Sequence, residues 1–267
     1  MTRVIIHAGF HKTGTTSLQS FLKANRARLA PHAAIYMGQQ LGEARRLGRI
    51  YGERPLPWRR WAFRRGLTAF LNDVPDAPVI LISRESLSGA MLGASRFGRP
   101  ATRYAPVAIR LAKEILGAVR GRFGSEAQVE FLYTIRERDN FLRSVWGHQL
   151  RTKPLTEDLA TFTARFADGF DLRREAEKIA KAVAPAQTHI RALEETSGDA
   201  LGPGRFVLDL LGLAEDGMFV PPPDRHAGAS DALCAELLEL NRSRPAGSAL
   251  RQKKEALWKA EQGARRE

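Results

Sequence analysis

The sequence predicts an α/β chain: a three-layer α/β/α arrangement built on a central parallel sheet. Three observations predict it. Short apolar, β-branched runs alternate with longer stretches of helical period along the 267 residues, the pattern of strands joined by crossover helices. Those runs are apolar almost throughout, as in "RVIIHA" at 3–8, "PVILIS" at 78–83 and "VEFLYTI" at 129–135, which is expected of strands buried on both faces. The first run also passes through Gly9 directly into a helical stretch, a strand–glycine loop–helix unit.

The elements follow in order. From Thr15, "TTSLQSFLKANRARL" carries apolar residues at 18, 21, 22 and 29 with threonines at its start, near helical spacing with a plausible N-terminus. "AAIYMG" at 33–38 reads as a short second strand. "WRRWAFRRGLTAFLNDV" at 58–74 has helical period and ends before Pro75 and Pro78. Helices are also predicted at 104–121, 138–152, 156–167, 171–183 and 230–243, and "THIRAL" at 188–193 as the last strand. There is no internal repeat. "VPPPDRHAGAS" at 220–230 reads as irregular, and the polar, basic tail from Arg244 as a loosely attached or partly disordered helix. The expected organisation is one domain over 1–243 and a basic tail over 244–267. In an open parallel sheet the ligand lies beyond the carboxyl ends of the strands, so chemistry is expected in the loops at 9–16, 83–90, 135–144 and 194–200.

Composition bounds the function. Hydrophobic residues make up 43% and charged residues 27%, the balance of a soluble globular protein. The longest apolar run is far short of a membrane span, and the N-terminus enters its first strand without a signal-peptide pattern. The single cysteine, Cys234, excludes an internal disulfide and fits a reducing compartment; the expected location is the cytoplasm. Cys234 sits in the apolar stripe "ALCAELLEL" and reads as a buried side chain rather than a nucleophile. The formal charge of +13 favours an anionic partner. With no zinc-finger spacing, RNP-like motif or arginine-rich repeat, nucleic acid is not the expected partner; a small, highly charged ligand uses the same excess. No feature specifies an oligomer.

The stretch "HAGFHKTGTTSLQSFL" at 7–22 holds the strongest local signal. Gly9 and Gly14 are spaced as in the nucleotide-binding pattern G-x-x-x-x-G-K-[ST], yet Thr15 occupies the lysine position and the lysine, Lys12, lies inside the loop. A strand-to-helix turn offers free N–H groups and the positive end of a helix dipole. Lys12 adds a charge, and Thr13, Thr15, Thr16 and Ser17 add hydroxyls. A magnesium-dependent triphosphatase also needs an acidic residue ending a strand. Here the strand at 78–83 runs into Arg84 and that at 129–135 into Arg136. No metal site is expected.

"HKTGTTSLQSFL" resembles the 5′-phosphosulfate loop, K-[ST]-G-T-[TS], of sulfotransferases that use 3′-phosphoadenosine 5′-phosphosulfate (PAPS), particularly the bacterial and Golgi carbohydrate type. Lys12, Thr13, Gly14, Thr15 and Thr16 carry the match. The resemblance implies a P-loop, nucleoside-kinase-like sulfotransferase fold working without metal. It further implies that Arg136, closing a strand, and Ser144, eight residues on, hold the donor's 3′-phosphate; both side chains suit phosphate. Trp146 and Gln149 fit positions that commonly follow, whereas Glu137-Arg138 departs from the family's usual Asp-Pro or Asn-Pro. Lys12 is then the stabiliser of the transferring group and leaving phosphate. For the base, the family's Ser-x-Glu pattern is matched by Ser83 and Glu85, with His11 as the rival; Glu85 pairing with Arg84 is the structural alternative. His7, within the strand, reads as a core residue.

On the acceptor side, "RPLPWRRWAFRRG" at 54–66 interleaves Trp58, Trp61 and Phe63 with five arginines. Such a helix suits a sugar ring, an anionic membrane surface, or ordinary packing of its aromatics inward. "RHAGASDALCAELLELN" resembles a C-terminal segment of bacterial members, while the R-K-G-x-x-G motif of the cytosolic small-molecule branch is absent. The expected activity is sulfuryl transfer from PAPS to a hydroxyl of a carbohydrate or glycolipid. Two other classes remain: a P-loop kinase-like phosphotransferase, and a non-catalytic basic module binding membrane or polyanion.

Overall fold

The computed structural model describes residues 1–167, 169–214, 217–222, 228–243 and 247–264. Part of the irregular segment expected at 220–230 and both ends of the basic tail therefore lie outside the described residues. Two compact units emerge, one formed by Met1–Glu137 and Asp171–Arg225, the other by Arg138–Phe170 and His226–Glu267.

The first unit is the α/β body. Five parallel strands, β1 (Arg3–His7), β2 (Ala34–Met37), β3 (Val79–Ser83), β4 (Gln128–Ile135) and β5 (Gln187–Ala192), form a sheet in the order β2-β3-β1-β4-β5. Its register pairs Ile6 with Ile82 on one side and with Phe131 on the other, and Ile135 with Ala192. Strands β1, β3 and β4 are apolar at consecutive positions because helices cover both faces. On one face Ile5, Leu81 and Leu132 meet Leu18, Phe21 and Leu22 of α1 (Thr15–Ala24) and Phe206 and Leu208 further along the chain. Each such side chain, fully removed from water, contributes about 1.5–3 kcal/mol.

Three further helices, α2 (Ala44–Glu53), α3 (Pro57–Asn72) and α4 (Ala105–Phe123), follow in order. Helix α2 packs over the tight turn Glu85–Ser88, α3 packs on α2 and α4, and α4 packs on α5 (Leu172–Val183). The α4 N-terminus is held by Glu175, 1% exposed, whose carboxylate accepts from the amides of Tyr104 and Ala105 at 3.0 and 2.8 Å. A two-stranded hairpin (Ser95–Arg96, Arg99–Pro100) and a helix at Gly204–Leu211 complete the unit.

Strand order places the ligand position. The chain leaves β1 toward the β2 edge, crosses β1 on its way from β3 to β4, and leaves β4 toward the β5 edge. Connections from the neighbouring strands β1 and β4 thus depart in opposite directions, which opens a crevice between their carboxyl ends. The glycine loop after β1 and Arg136 after β4 border that crevice.

The second unit is helical, with Arg138–Thr152, the short Leu159–Thr163, Asp231–Arg242 and Gly247–Ala264. Phe141, Phe162, Phe166 and Phe170 form its aromatic core. The C-terminal helix locks the others: buried Lys254 donates to the carbonyls of Leu150 and Lys153, both at 2.6 Å, and Glu261 accepts from Ser230. Cys234 is buried, as expected, and burial raises its thiol pKa. No described helix is long and apolar enough to cross a membrane.

Candidate active site

The loop from Ala8 to Gly14 is tied down before it reaches any ligand. The hydroxyls of Thr13 and Thr15 both donate to the carbonyl of Phe10, at 2.6 and 3.0 Å. Thr134 of β4 donates to Thr13 at 2.8 Å, since the Thr13 proton is already committed. Phe10 itself stacks on Tyr104, with ring centroids 4.5 Å apart, and lies 5.3 Å from Tyr133. Two of the four hydroxyls expected to face a ligand are therefore turned inward and shape the turn. Thr16 is exposed and Ser17 partly so.

The backbone is bent to match. Lys12 has φ 67° and Gly14 φ 83°; a lysine in the left-handed region costs about 1–2 kcal/mol, which the stapled loop sustains. Gly14 stands at the N-cap of α1, and no side chain caps that end. The first amides of α1 thus point into the crevice with the helix dipole behind them, the geometry of an anion site.

Around this loop the structure gathers His11 with Lys12, Arg84 and Glu85, whose charges act on the imidazole. His11 stacks in parallel on Tyr104, 6.2 Å between centroids, and its Nδ1 lies 3.3 Å from the Tyr104 hydroxyl. Burial lowers its pKa to about 4; Glu85 opposes that shift, while Arg84 and Lys12 add to it. At neutral pH His11 is an uncharged imidazole. Glu85 opens its turn beyond β3, where Arg84 approaches one carboxylate oxygen at 3.3 Å and Gln19 of α1 donates to the other at 3.3 Å. The expected Arg84–Glu85 pair thus exists.

His7, as expected, is a core residue. It is 0% exposed and shares a 2.8 Å hydrogen bond with Ser83, and burial brings its pKa to about 4. Its Nε2 has no partner among the described residues. Arg136 follows Ile135 directly at the crevice, and the next amide, Glu137, donates to Glu194 at 3.0 Å. Ser144 is placed on the Arg138–Thr152 helix of the second unit.

Three contributors escape sequence reasoning, Tyr104, Thr134 and Gln19, whereas the loop after β5 falls in the 194–200 stretch where chemistry is expected. A cleft of about 230 Å³ lies between Ser17 and that loop, lined by Leu193, Thr196–Ala200, Gly202, Pro203 and Pro222. The loop also abuts Gly14, where a Cβ would come within 2.7 Å of Leu193. A lone threonine near the end of the apolar run "VEFLYTI" was the one available signal for Thr134.

No protein-family model and no curated protein matches the chain. Among solved structures it is similar to a sulfotransferase from Alicyclobacillus acidocaldarius, at 15% identity and a TM-score of 0.46, over 94% of this chain and 99% of that one. It is similar also to a mouse sulfotransferase complexed with PAP, at 13% identity and TM-score 0.40, over 92% and 68% of the two chains. A retinol dehydratase in complex with androsterone and the inactive cofactor PAP shares 14% identity at TM-score 0.36, over 90% and 64%. The likeness is distant, and the reading below stands on this chain's own residues.

Proposed function

We propose that the protein is a sulfotransferase that moves a sulfuryl group from PAPS to a hydroxyl of a carbohydrate or glycolipid. One observation carries the reading. The Lys12–Thr16 loop, with its left-handed Lys12 and Gly14, presents an uncapped helix end at the crevice between β1 and β4. The strands on either side of β1 run into arginines, Arg84 and Arg136, where a magnesium-dependent phosphotransferase places an acid.

The residues fit such a donor. The α1 amides and Lys12 would hold the 5′-phosphosulfate, and Arg136 with Ser144 the 3′-phosphate. The cleft beside Ser17 is read as the place of the donor's adenine ring. In the transfer the acceptor oxygen forms a bond to sulfur as the bond from sulfur to the phosphate oxygen breaks. Glu85 takes the acceptor's proton, and Lys12 meets the charge that develops on the phosphate. His11, neutral and held by Tyr104, is the second group able to accept that proton. A cytoplasmic setting is supported by the lone buried cysteine.

Calorimetry with 3′-phosphoadenosine 5′-phosphate, ADP and ATP, with and without magnesium, tests the reading. Binding of the 3′-phosphorylated nucleotide is expected to be metal-independent. Arg136→Ala should weaken it by roughly tenfold to a hundredfold, the worth of a charge-assisted contact. Equal affinity for ADP would remove Arg136 and Ser144 from the assignment, and a requirement for magnesium would favour the phosphotransferase.

A further inference from the structure

Helix α3 has two faces of opposite character. Phe63, Leu67, Phe70 and Leu71 are buried in the α/β body. On the outer face Trp58 and Trp61, one helical turn apart, are 63% and 60% exposed. Arg60, Arg64 and Arg65 flank them, all exposed, and the 16-residue helix contains no acidic residue. Indole rings left in water at such exposure, on a helix that already satisfies its core, call for a partner.

The surrounding charges do not neutralise this face. Glu114 of α4 is shared by Arg60 at 3.4 Å and Arg64 at 3.8 Å. Glu43, which backs onto Gly66, is paired with Arg46 at 2.7 Å. Arg65 lies over the Trp61 ring, 5.0 Å from its centroid, so cation and indole present one amphipathic surface.

We infer that the outer face of α3 docks on an anionic lipid bilayer, with the indoles of Trp58 and Trp61 at the headgroup–acyl boundary and the arginines on lipid phosphates. The chemistry selects this occupant. Tryptophan is amphipathic enough for the interface, and arginine stems cover apolar surface while their heads reach anionic groups. A second copy meeting this face would set arginines against arginines. Single-stranded nucleic acid takes a groove that tracks its backbone, and this face is the outside of a helix. The inference is independent of the nucleotide site, and its test needs no nucleotide.

The full-length chain is sedimented with vesicles of phosphatidylglycerol and phosphatidylcholine, and with phosphatidylcholine alone. Binding is expected to the anionic vesicles, strong at about 0.1 M salt and weak at about 1 M, where screening shortens from roughly 10 to 3 Å. Trp58→Ser with Trp61→Ser should lower partitioning by about tenfold or more. Arg64→Gln and Arg65→Gln should each lower it by about fivefold, whereas Lys253→Gln, an exposed residue of the C-terminal helix, should leave it unchanged. Brominated acyl chains should quench Trp58 and Trp61 fluorescence; Trp146 is 7% exposed and Trp258 lies under Arg151. Thermal melting confirms that each variant folds. Equal loss with Lys253→Gln, or unaltered binding by the folded double tryptophan variant, overturns the inference. So does the absence of vesicle binding together with a tryptophan-dependent dimer or tryptophan-dependent RNA binding.

Discussion

Gly9→Ala is the sharpest probe of how the phosphate loop is built. Gly9 is not in the left-handed region, so the substitution carries no backbone penalty and its effect is steric. A Cβ there would sit 2.5 Å from the Thr134 hydroxyl oxygen and 2.6 Å from His7 Nε2. Neither neighbour is a loose end. Thr134 is bonded to Thr13 and His7 to Ser83, each at 2.8 Å, and both are 0% exposed. Reaching ordinary contact means opening the site by roughly 1 Å, which the pinned side chains pass to the loop backbone. Overpacking of this kind costs about 1–3 kcal/mol, a fall in Tm of about 2–4 °C per kcal/mol for a body of this size. A lifted loop also displaces the α1 amides, so affinity for 3′-phosphoadenosine 5′-phosphate should fall by about tenfold, or ~1.4 kcal/mol. Scanning calorimetry measures the first effect and titration calorimetry the second. Thr134→Ala removes the closer of the two clashes, so combined with Gly9→Ala it should cost less than the separate effects added together. A Gly9→Ala protein that melts and binds as the unsubstituted chain does would refute the packing argument.

Three other outcomes follow from the geometry. His7 is neutral in the folded state, with its pKa lowered by burial from 6.5 to about 4; protonation therefore favours the unfolded chain. Its contribution is complete above pH 6.5 and is lost as pH falls toward 4, by about 3 kcal/mol in all, so in melting curves across that window His7→Asn should show a shallower acid slope. Glu85→Gln should lower kcat by about 10²–10⁴-fold and leave nucleotide affinity in place, and His11→Asn should do less; the reverse ranking in a radiolabelled sulfate-transfer assay would make His11 the base. Lys254→Met strips two helix-end carbonyls of their donor and should cost about 2–3 kcal/mol, seen as a lower urea midpoint; an unchanged midpoint would show that the lysine adds nothing.

The inner strands β1, β3 and β4 were legible because they are buried on both faces and most of their positions are apolar. Strand bounds expected at 129–135 and 188–193 are observed at Gln128–Ile135 and Gln187–Ala192. Helix α2 was not legible, and its glycines are the reason. In "ARRLGRIYGE" Gly48 and Gly52 each weaken the local preference for helix. They serve close approach instead: a Cβ on Gly48 would lie 2.2 Å from the Ser86 carbonyl oxygen, and one on Gly52 2.0 Å from the Ala90 amide. The helix expected at 156–167 is observed at Leu159–Thr163, and its start is set by Asp158, which caps it by accepting from the Thr161 amide at 2.8 Å.

The same contrast runs through the candidate site. Lys12, Thr13, Gly14 and Thr15 announce themselves because a strand-to-helix anion turn is a local device, written in consecutive residues. What holds the turn in shape is not local. Thr134 is 121 positions from Thr13, Tyr104 is 93 from His11, and Glu175 is 71 from the Tyr104 amide it fixes. Those partners look like an ordinary strand threonine, a helix-start tyrosine and a helix glutamate, and only the strand order brings them under the loop. A left-handed lysine is costly wherever it stands, so a loop of this sequence without Thr134 and Tyr104 behind it, and Glu175 behind Tyr104, would relax. The anion site is therefore a property of the whole α/β body, and substitutions at Thr134 or Glu175, far along the chain from Lys12, should lower nucleotide affinity together with stability.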